Sequence, residues 1–116
     1  IKVWNLKNKS VLCSVNAHSN SIVYLEEFRR NLFLSASNDG IFKIWSWNDC
    51  ELIDSFYIGL FINAIRLLDE TNLAVAYSDN TFKIWDLNLG KIIFNVPNEH
   101  SIIFLTSTKH FIISSN

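Results

Sequence analysis

Phe42-Lys43-Ile44-Trp45 recurs as Phe82-Lys83-Ile84-Trp85, and the chain opens on a near copy, Ile1-Lys2-Val3-Trp4. The tryptophans ending these phrases are 41 and 40 residues apart, and they are three of the four Trp in the chain. An interval of this size marks a repeated supersecondary unit, because one such unit cannot bury its apolar surface alone. The repeat therefore decides the fold.

Aligned on the Trp, the rest of each period falls into register. A polar turn follows each phrase, and then a β-prone run: VLCSV at 11–15, LIDSF at 52–56, IIFNV at 92–96. A second loop leads into IVYL at 22–25, INAI at 62–65 and IIFL at 102–105. The next runs are LFLSAS at 32–37, LAVAY at 73–77 and FIISS at 111–115, and a tight turn, NDG or SDN, returns to the Trp phrase. Each period thus holds four runs of about five residues bounded by Asn, Asp, Ser or Gly, with no helical spacing. The runs are apolar on both sides, as strands are when both faces of a sheet are covered. Ser35, Ala36, Ala74 and Ala76 suit a close approach of sheets.

The bulk properties exclude several classes. With 116 residues, 49% hydrophobic and 18% charged, the chain is a folding sequence of single-domain size. Net charge is −1 and the one basic pair is Arg29-Arg30, so there is no single-sign field for nucleic acid or an anionic membrane. The longest apolar run, YIGLFINAI at 57–65, is broken by Asn63 and falls short of the roughly 18–20 residues of a membrane span. Cys13 and Cys50 have neither metal-ligand spacing nor the number for a disulfide framework, so two thiols and a reducing compartment are expected. The chain starts at Ile1 and contains no Met, as expected of a piece of a longer protein.

These residues resemble the WD-repeat (WD40) β-propeller family, whose phrase is Gly-His, a strand, a Ser-x-Asp turn, and a strand ending Trp-Asp. Here the counterparts are Ala17-His18, Ser37-Asn38-Asp39 and Trp45-Ser46, then Tyr77-Ser78-Asp79 and Trp85-Asp86. The resemblance spans essentially the whole chain. It implies an all-β partial β-propeller of four-stranded antiparallel blades, two complete blades (16–56 and 57–96) flanked by two half blades (1–15 and 97–116). The remaining blades of the ring are then expected in the full-length chain. The resemblance also implies a buried hydrogen-bonded tetrad of His18, Ser37, Asp39 and Trp45. Ile58 stands where the second period should carry its His, Tyr77 replaces the Ser, and Asn5 replaces the Asp after the first Trp. The second blade is therefore expected to keep only a partial tetrad, through Asp79 and Trp85.

His18, Ser37 and Asp39 are also the residue types of a hydrolase triad, but no GxSxG elbow exposes a nucleophile. Glu26 and Glu27 are adjacent on a strand and point to opposite faces. Asp69 and Glu70 read as turn residues. His100 and His110 have no further ligand at metal spacing. No catalytic residue, metal or cofactor is expected. The function implied is a non-catalytic protein–protein interaction scaffold within a larger protein, binding other proteins or peptides. Its expected location is intracellular, cytoplasmic or nuclear. A propeller appended to an enzyme, or a structural arc of a coat or motor complex, are the alternatives. Family positions for protein contacts fall on Ser21, Val23 and Asn38, on Phe61, Asn63 and Ser78, and on Ser101 and Ile103. Phe61 is the aromatic among them, the type that anchors interfaces.

Overall fold

The computed structural model describes residues 1–97, 104–107 and 112–115. The described residues form β-strands and turns and contain no helix. The chain divides into two compact units, Ile1–Gly59 and Leu60–Asn116.

In the first unit, β1 (Lys2–Asn5) and β2 (Ser10–Ser14) make an antiparallel hairpin. β3 (Ile22–Phe28), β4 (Leu32–Ser37), β5 (Ile41–Ser46) and β6 (Leu52–Tyr57) follow as one sheet in sequential order, every pair antiparallel. In the second unit, β7 (Ile62–Leu67), β8 (Asn72–Tyr77), β9 (Thr81–Asp86) and β10 (Lys91–Pro97) repeat that order. β11 (Phe104–Ser107) and β12 (Ile112–Ser115) pair antiparallel. The two four-stranded sheets are the two blades implied by the repeat.

Burial follows position in the sheet. β4 is buried continuously from Phe33 to Ser37, and β8 from Leu73 to Tyr77, while β6 is largely exposed. The small residues keep the second core tight, with Ala74 and Ala76 packed on Ala64, Leu68 and Phe82. In the first unit, Ile1, Val3 and Val15 of the hairpin segment pack with Trp47 against Ala17, Phe33 and Trp45. The Phe33 and Trp45 rings stack 6.2 Å apart at 13°, an arrangement worth about 0.5–1.5 kcal/mol beyond burial.

Two features depart from the sequence reading. Cys13 of β2 and Cys50, in the turn before β6, are joined as a disulfide with 5.7 Å between their Cα atoms. The expectation of free thiols is corrected, and with it the ground for a reducing compartment. The physical reason is the packing of the hairpin on the sheet, which brings together cysteines 37 residues apart. The second feature is a regular set of bulges. Val23 and Asn63 are extra residues near the starts of β3 and β7, and Leu12, Ile53 and Ile93 are extra residues on the strand after each Trp. A bulge inserts an unpaired residue and re-aims its side chain.

Candidate functional site

The turn from β4 to β5 is closed by Gly40 N–H donating to Ser37 O at 3.0 Å, with Gly40 at φ 81°. That turn sets Asp39 opposite the loop before β3. There Asp39 accepts from Ile41 N–H (2.9 Å), from Ser19 N–H (3.1 Å) and from His18 Nδ1 (3.1 Å). His18 Nε2 lies 2.7 Å from Ser35 Oγ, and Trp45 Nε1–H donates to the same oxygen at 2.8 Å.

With His18 neutral, these contacts order the protons. The indole can only donate, so Ser35 accepts from Trp45 and gives its own O–H to His18 Nε2. His18 is then the neutral tautomer with its proton on Nδ1, directed at Asp39. Burial is the largest influence on His18 and lowers its pKa below the ordinary imidazole value, against the opposing pull of Asp39. For Asp39, burial alone would raise the pKa, but the N–H groups of Ile41 and Ser19 and the His18 ring outweigh it and hold the carboxyl below its usual range.

The serine in this relay is Ser35, not the Ser37 expected from the motif. Both lie on one face of β4, two residues apart. In the β4–β5 register Phe33 pairs with Trp45 and Ser35 with Lys43, so the indole reaches one step along the sheet to Ser35. Ser37 instead accepts from Asp39 N–H at 3.1 Å within the turn.

Histidine, serine and aspartate are thus connected as in a hydrolase triad, but Ser35 is 0% exposed and its oxygen is already engaged by Trp45. A nucleophile needs an open approach and donors awaiting an oxyanion. The relay joins loop, central strand, turn and Trp strand within one sheet. Among the described residues no three His, Cys, Asp or Glu side chains gather to hold a metal ion. His100 and His110 lie outside the described residues.

The second blade is built differently. Val75 occupies the place of Ser35 and offers no hydroxyl, so Trp85 Nε1–H donates to the Tyr77 hydroxyl at 3.2 Å. Ile58 is buried in the place of His18. Of the expected partial network through Asp79 and Trp85, each residue bonds to a different partner, Trp85 to Tyr77 and Asp79 to Thr81. Asp79 Oδ1 instead accepts from Thr81 N–H at 3.0 Å and from the Thr81 hydroxyl. Lys83 lies over the Tyr77 ring, 4.7 Å from its centroid.

The expected contact residues meet at equivalent ends of the two sheets. In the first, Ser21 O accepts from Asn38 N–H at 3.0 Å and Val23 is exposed on its bulge. In the second, Phe61 O accepts from Ser78 N–H at 2.8 Å, and Ser78 Oγ donates to Asn63 Oδ1 at 2.7 Å. Phe61 is 76% exposed and has φ 58°. A bulky residue in that region is an outlier costing roughly 1–3 kcal/mol. With Leu60, Tyr77, Ser78 and Asp79 it lines a pocket of about 280 Å³. Ser101 and Ile103 lie outside the described residues. Ser35 and Leu60 carry no motif signal, whereas Tyr77 stands at the motif's serine position, where its hydroxyl takes the Trp85 N–H.

Repeated four-stranded antiparallel blades, one carrying a His–Ser–Asp–Trp relay, give this chain the fold of a β-propeller segment. Solved structures of the same fold include the WD40 beta propeller domain of Doa1, with a TM-score of 0.73 and 22% identity over 97% of this chain and 39% of that one. The computationally designed Ika4 protein matches with a TM-score of 0.72 and 22% identity over 89% of this chain and 64% of that one. No protein-family model matches. Among curated proteins, Mitochondrial division protein 1 of Eremothecium gossypii is 29% identical over 103 residues, 80% of this chain and 14% of its own length. A DDB1- and CUL4-associated factor 11 homolog of Caenorhabditis briggsae is 32% identical over 85 residues, 63% of this chain and 15% of its own length. The chain therefore spans a small part of each of these relatives.

Proposed function

We propose that the chain is part of a non-catalytic scaffold that binds other proteins or peptides through the strand-end loops of its blades. The observation that carries this reading is Phe61, a large aromatic held in a left-handed conformation and left exposed beside a pocket. Burial would offset the strain if Phe61 packed in the core, but it does not. Strain kept at an exposed aromatic is what a contact residue shows. Loops set on rigid sheets are also where recognition concentrates. The blades thus act as the frame and Phe61 as an anchor. One of the similar curated proteins is named for its association with DDB1 and CUL4, which fits a protein that works by assembly.

Phe61→Gly separates contact from core. In the intact protein the melting temperature holds or rises, since glycine takes this φ without strain. Partner affinity falls by about thirtyfold, the ~2 kcal/mol of an interface anchor. A lower melting temperature with unchanged capture would make Phe61 a core residue and end this reading.

A further inference from the structure

The two blades are the same unit 40 residues apart, so each position in the second has a control in the first. In the first, both Asp39 oxygens are engaged, Oδ2 by His18 and Ser19 and Oδ1 by Ile41. In the second, Ile58 and Gly59 replace His18 and Ser19. Asp79 then makes hydrogen bonds through Oδ1 alone, both to Thr81. Its other oxygen is left without a hydrogen-bond partner, on an exposed residue lining the pocket that Leu60, Phe61, Tyr77 and Ser78 complete. Replacing the histidine therefore does more than weaken the blade. It turns an internal carboxylate into an outward one, set beside an exposed aromatic.

The geometry points to a site for a cationic side chain of a bound peptide, lysine or arginine, with its charged head at Asp79 and its methylene stem along Phe61. Long basic side chains suit such a site because they pair an apolar stem with a charged head, and an aromatic face attracts the cation as well. The nearby intrachain cation, Lys83, lies over the Tyr77 ring, and from there its charge favours the ionised Asp79 carboxylate. The hydrogen bonds from Thr81 hold the Asp79 carboxyl below its usual pKa, so it is charged at neutral pH. The site rests on the scaffold reading above and specifies the chemistry of its partner.

The test is selection of a random peptide library displayed on phage against the intact protein, repeated on Asp79→Asn and Phe61→Gly. Asn keeps the oxygen that Thr81 uses and removes only the charge. Peptides selected on the wild type are expected to share a Lys or Arg at one position. Replacing it by norleucine or citrulline in the synthetic peptide weakens binding roughly three- to tenfold, the range of an exposed to partly desolvated ion pair. Asp79→Asn removes that difference, and raised salt narrows it. Peptides without a fixed cation that bind Asp79→Asn as well as wild type but not Phe61→Gly would overturn the cation site and leave the scaffold reading standing. Peptides indifferent to both substitutions, or no selection at all, would overturn both.

Discussion

Ser35 and Ser37 share one face of β4, yet they do different work. Ser35 receives the Trp45 N–H and passes its own proton to His18, whereas Ser37 caps a turn. Ser35→Ala leaves the indole N–H and the imidazole nitrogen facing each other with nothing between them. It is expected to destabilise the protein by on the order of 2 kcal/mol or more, and Ser37→Ala by about 1 kcal/mol; denaturant midpoints of the two variants give the comparison. His18 predicts a pH dependence of definite sign. Its folded pKa lies below its unfolded value of about 6.5, because burial disfavours the charged ring. Its contribution is therefore complete above the unfolded value and lost as pH falls through the folded one. Protonation would also force Ser35 to accept from both sides and strand its own O–H. Melting temperatures followed from about pH 7 down to about pH 5 should decline in the wild type, and more gently in His18→Asn.

At the scale of strands and turns, the repeated phrase and the Asn, Asp and Gly punctuation made the four strands of each blade legible. Their spacing specifies elements that close locally. The same punctuation shows what the departures mean. Asn5 Oδ1 accepts from Lys7 and Asn8 N–H, as Asp86 Oδ1 accepts from Asn88 and Leu89 N–H, so Asn after Trp makes the same cap. Asp69 likewise organises the turn it was read into, accepting from Thr71 and Asn72 through backbone and side chain. The bulges were not legible. Val23, Ile53 and Ile93 are ordinary strand residues by type, and only the partner strand decides that each goes unpaired. The serine exchange has the same origin, since the choice between Ser35 and Ser37 depends on register with β5. One turn carries a further prediction. Asn80 has φ 64° where the first blade has Gly40 at φ 81°. Asn tolerates this region but glycine enters it without cost. Asn80→Gly is expected to shift stability by no more than a few tenths of a kcal/mol, read from the denaturant midpoint, because relief at this φ is set against the added chain freedom of glycine in the unfolded state. A clear loss would show that the Asn80 side chain supports the turn.

For the molecule as a whole, the two blades differ in what reinforces them. The first has the proton relay and a covalent tie to the hairpin beside it, while the second has a carboxylate turned outward. The tie was hidden in the sequence because its cysteines meet only when β2 packs beside the β5–β6 turn. Its removal by Cys13→Ser should cost the intact protein roughly 2–4 kcal/mol, and a thiol reductant should lower the melting temperature of the wild type but not of the variant. The same bond makes residues 13–50 a covalent ring. Inside that ring, Arg29 and Arg30 are exposed in the turn between β3 and β4, with Arg29 at φ 46°. Exposed turn tips are where proteases cut first. A single trypsin cut there opens the backbone without parting the molecule: its two pieces migrate as one band until the disulfide is reduced.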